Sequence, residues 1–280
     1  GVKVSDKLSI LKQFVHTGVK GIFLGGKMVN SFLLAQTQKS KLSSFAVEDI
    51  PPKLLSKDDP ANFELVEEVT LAEEILEIAE KNEVEIIFPQ DFKVAGNYQD
   101  TTFKEKDVPD FEKEIQLDLG PKTIENFSKT ILPENIENVF WNGPLGAYDH
   151  PSCNSYAEGS LELAKLLFGE TLFNDKLSVI IGGGDSAAIL NKVSSNQLKN
   201  QIKSQFEKQL PGSINRNLLS MEFLDSDPYI LWNYLTSNFF VSTGGGASLE
   251  FLENYLSDKG QSDLASYSPG TATLMELCMI

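Results

Sequence analysis

Leu177-Ser178-Val179-Ile180-Ile181 runs straight into Gly182-Gly183-Gly184-Asp185-Ser186, and a second apolar run, Phe239-Phe240-Val241-Ser242, leads through Thr243 into Gly244-Gly245-Gly246-Ala247-Ser248. Each reads as a strand, a glycine turn and the start of a helix. Glycine lets backbone N–H groups approach an anion closely, and a helix beginning just beyond adds unpaired amides and the positive end of its dipole. Two such turns in one domain point to a polyphosphate ligand, although either triplet taken alone reads equally well as a tight turn.

Outward from these turns, strand and helix alternate along the chain. Lys7 to Val15 carries a helical stripe of Leu8, Leu11, Phe14 and Val15, with Ser5 or Asp6 as its expected cap. Gly21 to Gly25 reads as a short buried strand, Met28 to Ala35 as a helix, and Val66 to Glu80 as a long amphipathic helix through Leu71, Ile75, Leu76 and Ile78. Strands follow at Val84 to Pro89, Ile115 to Leu119 and Val139 to Trp141, with helices at Ser155 to Phe168, Asp185 to Lys192 and Ala247 to Tyr255. The polar stretch from Asn97 to Pro109 reads as a surface excursion, and Lys41 to Glu64 as irregular. This alternation predicts an α/β, Rossmann-like fold: an open, mostly parallel sheet with helices on both faces. A ligand would sit at the carboxyl ends of the strands, where the glycine turns fall. Ser194 to Asn238 breaks the rhythm and reads as an inserted surface segment, its aromatics around Trp232 forming a satellite core or a partner site.

Composition narrows the chemistry. With 280 residues, 41% of them hydrophobic and 23% charged, the chain can bury a sizeable core. No apolar run approaches the roughly 20 residues needed to span a bilayer, and Gly1 to Lys7 does not resemble a signal peptide, so a cytoplasmic protein without a membrane partner is expected. Cys153 and Cys278 form no CxxC pair, which argues against a disulfide framework or a structural zinc site. A formal net charge of -16 argues against a nucleic-acid partner. Arg216 is the one arginine, so the chain has little of the bidentate donor chemistry that grips small phosphorylated acids.

Two common phosphate motifs are absent. Gly21 to Lys27 comes near a P-loop, but Met28 stands where the magnesium-binding Ser or Thr belongs, and Ile22 to Leu24 would have to be loop. Neither glycine triplet carries the trailing glycine of a dinucleotide fingerprint. The strings Val2-Lys3-Val4-Ser5-Asp6-Lys7, Gly25-Gly26-Lys27-Met28-Val29-Asn30-Ser31-Phe32-Leu33, Pro89-Gln90-Asp91-Phe92, Asp118-Leu119-Gly120-Pro121, Val139-Phe140-Trp141-Asn142-Gly143-Pro144-Leu145-Gly146, Gly182 to Ala187 and Val241 to Leu249 occur in an order that resembles the phosphoglycerate kinase family, specifically its nucleotide-binding carboxy-terminal half.

The resemblance implies reversible phosphoryl transfer between 1,3-bisphosphoglycerate and ADP, giving 3-phosphoglycerate and ATP, with Mg2+ carried by the nucleotide. Lys3 matches the lysine that neutralises the transferring group, and Lys7 the one on the nucleotide phosphates. Gly183 and Gly245 match amides that stabilise the phosphoryl group in flight. Asp185 matches the carboxylate that organises the magnesium, with Gly184 and Ser186 assisting; outside the family, Asp185 reads as a helix N-cap. Gly25, Gly26, Gly120, Asn142, Gly143 and Leu145 would line the adenine and ribose cleft.

Departures accompany the matches. Asp149 stands where the family usually has glutamate for the ribose hydroxyls; one methylene shorter, it would reach them only through water. Lys27 replaces what is often a third glycine and either crowds or favours the nucleotide. The tail from about residue 266 to 280 has no clear counterpart. The arginine- and histidine-bearing amino-terminal half that binds 3-phosphoglycerate in the family is not matched. The expectation is therefore a monomeric kinase in which residues 1–280 form the nucleotide-binding domain, inactive when alone; the alternative is a module derived from that kinase that binds adenine nucleotides without turnover.

Overall fold

The computed structural model describes residues 4–17, 19–39, 63–132, 136–171, 174, 176–192 and 239–242. These fall into two compact units, the first running to Thr123 and the second beginning at Ile124. The architecture is α/β. The predicted insertion, the tail and the helix from Ala247 lie outside the described residues, as do Lys3 and Gly245.

In the first unit, helix α1 (Ser5–His16) buries Leu8, Ile10 and Val15. The N-cap position does not fall on Ser5 or Asp6. The N-cap position belongs to Val4, which is itself in helical conformation and makes no side-chain cap bond. Strand β1 (Gly21–Phe23) pairs in parallel with β2 (Glu85–Ile87), with Ile22 opposite Ile86. Because these residues are strand, the near-P-loop is excluded. Between them lie a 3-10 turn (Gly26–Met28), helix α2 (Val29–Lys39) and helix α3 (Phe63–Lys81), which packs against both α1 and α2.

The deepest positions of α3 are Val69, Ala72, Ile75 and Ala79, all at most 2% exposed, whereas Leu71, Leu76 and Ile78 are half-buried. Of the predicted stripe, Ile75 thus sits at the centre of the interface, where Ala72 and Ala79 let the helices approach closely, and the other three mark its rim. A buried bond from Ser31 Oγ to Glu68 Oε2 (2.9 Å) joins α2 to α3.

The expected surface excursion is in part a sheet. Strands β3 (Phe92–Ala95), β4 (Lys104–Lys106) and β5 (Ile115–Leu119) form an antiparallel sheet in the order β4-β3-β5. Lys93 lies opposite Asp118, with 3.9 Å between Lys93 Nζ and Asp118 Oδ2 and side chains 3% and 0% exposed. The same ammonium sits 5.4 Å from the centroid of the Phe103 ring. Short helices α4 (Pro121–Glu125) and α5 (Phe127–Thr130) lead onward from this sheet.

The second unit contains three parallel strands, β6 (Asn138–Asn142), β7 (Ser178–Gly182) and β8 (Phe239–Ser242), in the order β6-β7-β8. Helix α6 (Glu158–Thr171) connects β6 to β7, and α7 (Gly184–Lys192) follows β7. Leu163, Ala164, Leu167 and Phe168 of α6 and Ile189 and Leu190 of α7 are buried, as are Val179 and Ile181 on one face of β7. Helix α6 begins three residues later than its apolar pattern suggests, because Asn154–Ala157 form a 3-10 turn. Among the described residues, no helix is long and apolar enough to cross a membrane.

The Lys93–Asp118 pair yields a stability prediction. Lys93→Met should cost about 3 kcal/mol by taking the ion-pair partner from a buried carboxylate, whereas adding Asp118→Leu should recover most of that loss. Urea unfolding of the two single variants and the double variant measures the coupling.

Candidate functional site

In the first unit, the turn after β1 is built on two glycines. Gly25 is extended (φ -148°) and Gly26 takes a left-handed conformation (φ 67°), buried where the chain bends into the 3-10 turn. Lys27, standing where the family often has a third glycine, points into solvent, so it does not crowd the turn itself. Lys7 lies in α1, half-buried.

Gly120 follows β5, and β5 packs beside the turn that Gly26 opens. Its surroundings explain the absence of a side chain: an added Cβ would come within 2.3 Å of Asp91 Cγ. Asp91 is 2% exposed, and its carboxylate accepts the N–H groups of Lys122 (3.0 Å) and Thr123 (2.8 Å) and the hydroxyl of Thr123 (2.8 Å). Asp91 therefore caps α4 from outside, with Pro121 at the helical position that needs no donor. Gly120 N–H closes the arrangement on Asp91 O at 2.8 Å. Sequence reasoning quoted Asp91 only as part of a string; its partners lie about thirty residues away in sequence, and no local pattern reveals them.

In the second unit, Asn142, Gly182 and Ser242 occupy matching register positions on β6, β7 and β8, so the three chains leave the sheet side by side at its carboxyl edge. Gly182 has no room for a side chain, since a Cβ there would meet Asn142 Nδ2 at 2.9 Å. Gly143 turns out of β6 with φ 97°, and Gly183 turns out of β7 with φ 100°. Both conformations favour glycine.

Two serines hold the β6 loop. Gly143 N–H donates to Ser186 Oγ at 2.7 Å, and Leu145 N–H donates to Ser160 Oγ at 2.9 Å; both serines are fully buried. Trp141 Nε1 donates to Gly143 O at 2.7 Å. The Ser186 hydroxyl thus works inside the protein, tying the Asn142–Gly146 loop to the start of α7, and any influence on a ligand passes through that loop.

At the start of α7, Gly183 O accepts the N–H of Ala187 (2.9 Å), while Gly184 and Asp185 are exposed. The first amides of the helix have no intrahelical acceptors and lie at its positive end. Tyr148 OH donates to Asp185 Oδ1 at 3.2 Å, and Lys192 Nζ donates to Tyr148 O while lying 5.4 Å from the centre of that ring. Burial, then the Asp185 carboxylate beside it, pushes the Tyr148 phenol up to about 12. Asp149 is exposed on the same loop. No group of three or more His, Cys, Asp or Glu among the described residues could hold a metal ion. An exposed carboxylate at a helix start instead suits a hard cation that arrives already bound to phosphate oxygens.

A family model described as phosphoglycerate kinase matches residues 1–255. The chain belongs to the phosphoglycerate kinase family. The phosphoglycerate kinase of Clostridioides difficile is 30% identical over 255 residues, covering 90% of this chain and 47% of that protein. That of Staphylococcus haemolyticus is 31% identical over 255 residues, with 90% and 46% covered. Among solved structures, phosphoglycerate kinase from Coxiella burnetii aligns with a TM-score of 0.54 and 25% identity over 91% of this chain and 49% of that one. The chain spans about half the length of the curated relatives it matches.

Two predictions follow from the loop that the family shares. Ser186→Ala should destabilise the chain by about 2 kcal/mol in urea unfolding, because the buried Gly143 N–H loses its acceptor, and should accelerate hydrogen exchange at that amide. The second concerns Tyr148, whose folded pKa of about 12 exceeds its ordinary value of 10.0. The neutral phenol therefore contributes stability that is fully present below pH 10 and lost as the pH rises through 12. Denaturant melts across that window should show the native chain losing more stability than Tyr148→Phe.

Proposed function

We propose that this chain binds Mg-ADP and Mg-ATP at the carboxyl ends of β6, β7 and β8 and supplies the nucleotide side of phosphoglycerate kinase chemistry. The observation that carries this reading is the first turn of α7. There Gly183 takes a positive φ, Gly184 and Asp185 are exposed, and the first amides of the helix, which have no intrahelical acceptors, lie at its positive end.

In this reading the reaction is in-line transfer of a phosphoryl group between the acyl phosphate of 1,3-bisphosphoglycerate and ADP, giving 3-phosphoglycerate and ATP. A loose transition state gathers charge on its equatorial oxygens, so catalysis needs positioned donors more than a base. The Gly183 amide supplies one of them, and the family resemblance assigns the others to Gly245 and Lys3, which lie outside the described residues. Asp185 holds the divalent cation that comes with the nucleotide phosphates. Asn142, Gly143 and Leu145 line the second unit's part of the base and ribose site, with Asp149 reaching the ribose through water, while the roles of Lys7, Gly25, Gly26 and Gly120 rest on the resemblance alone. The acidic triose substrate falls to an arginine-bearing partner half, since Arg216 is the one arginine here.

That same scarcity of arginine favours a second reading, in which the chain binds adenine nucleotide without turnover. A coupled assay of the open reading frame that encodes the chain separates the two: ATP formed from 1,3-bisphosphoglycerate supports the kinase, and binding without product supports the module.

Calorimetric titration of the chain with Mg-ADP should give one site per molecule. Asp185→Asn should weaken it about tenfold, the loss of roughly 1.4 kcal/mol. Absence of any heat of binding with the native chain would remove both readings.

A further inference from the structure

The Asp185 carboxylate stands exposed on the first turn of α7, where an aspartate side chain would ordinarily sample several rotamers. Here it is gripped from the side by a residue thirty-seven positions earlier: Tyr148 OH donates to Oδ1 at 3.2 Å. Tyr148 is gripped in turn by the far end of the same helix. Lys192 lies seven residues after Asp185, two turns along and on the same face of α7. Its ammonium donates to the Tyr148 carbonyl and sits over the ring at 5.4 Å. The loop that carries Tyr148 is itself folded tightly, with Tyr148 N–H on Gly146 O (2.9 Å) and His150 N–H on Ala147 O (3.0 Å).

We infer that Tyr148 is a positioning residue for Asp185: its hydroxyl fixes one carboxylate oxygen and so presents the other, Oδ2, to a divalent cation carried by the nucleotide. The inference rests on the nucleotide-binding reading above and deepens it. At 3.2 Å the hydrogen bond is long for a hydroxyl on a carboxylate, so it orients Oδ1 without burying the group and leaves the second oxygen available. Partners that orient a metal ligand raise affinity by sparing the cost of ordering it on binding. A merely structural staple between loop and helix would instead change stability and leave metal-dependent affinity alone.

The test compares affinities of the full chain for ADP with Mg2+ present and with Mg2+ removed by chelator, both by calorimetry. The readout is the ratio of the two dissociation constants in the native chain, Tyr148→Phe, Asp185→Asn and the double variant. Tyr148→Phe should reduce the ratio about fivefold, below the usual effect of a metal ligand's partner because the site is open to water, and should leave metal-free ADP binding within about twofold. The double variant should be no worse than Asp185→Asn alone, since the tyrosine acts through the aspartate. If Asp185→Asn lowers the ratio and Tyr148→Phe does not, the positioning role is wrong and the nucleotide reading stands. If Asp185→Asn leaves the ratio unchanged, or the native chain binds no Mg-ADP, both fall. Should Tyr148→Phe fail to fold, Lys192→Met loosens the ring without removing its hydroxyl, and the ratio should fall about twofold, with an unchanged ratio overturning the inference.

Discussion

The hydrogen bond from Gly143 N–H to Ser186 Oγ is the constraint on which the second unit's loops depend. It joins the turn after β6 to the turn after β7, and both turns reach it through left-handed glycines. Parallel pairing brings Asn142 and Gly182 to the same level of the sheet, but register alone leaves the two loops free to diverge. A buried hydroxyl that must accept a buried amide removes that freedom, because separating them strands a donor away from water. The start of α7, with its amides and Asp185, is thereby fixed relative to the β6 loop and to Tyr148.

Glycine serves two different physical ends in these strings. Gly26, Gly143 and Gly183 supply positive φ at turns. Gly120 and Gly182 supply space, one for the Asp91 carboxylate and one for the Asn142 amide. The second kind is easily credited wholly to ligand binding when only the sequence is read. Gly120 would be required here even with no nucleotide nearby, since the aspartate cap of α4 fills the volume of its missing Cβ.

This distinction marks how far the sequence could be read. The strands with continuous apolar runs, β6, β7 and β8, and the helices with strong periodicity, α1, α3 and α7, were legible because one segment carries its own pattern. Strand β3 was not, because its four buried residues include Lys93, whose charge is met by partners distant in sequence, Asp118 across the sheet and the Phe103 ring. Strand β4, Lys104–Lys106, is polar throughout and is defined by its pairing alone. The site divides in the same way. Glycine turns and Asp185 were legible as local chemistry and as family strings, whereas Asp91, Ser160 and Tyr148 act through partners fifteen to thirty-seven residues away, which no single stretch displays.

A formal net charge of -16 at first sight opposes a polyphosphate ligand. The described part of the candidate site answers this with dipoles, not with a basic surface. Backbone amides at a helix start attract phosphate without adding a titratable charge, and their orientation is set before any ligand arrives. The exposed carboxylate at the same place adds to the repulsion unless a cation lies between it and the anion. On the proposed nucleotide-binding reading, an acidic chain with Asp185 beside the first amides of α7 would discriminate between forms of one nucleotide. Metal-free ADP would meet a negative field with a negative charge of its own, whereas the metal-loaded form would turn the same carboxylate from a repulsive group into an attractive one. On the inference drawn above, holding that carboxylate in place would sharpen the discrimination, which is how a tyrosine of the β6 loop and a lysine at the far end of α7 would matter to a site neither of them needs to touch.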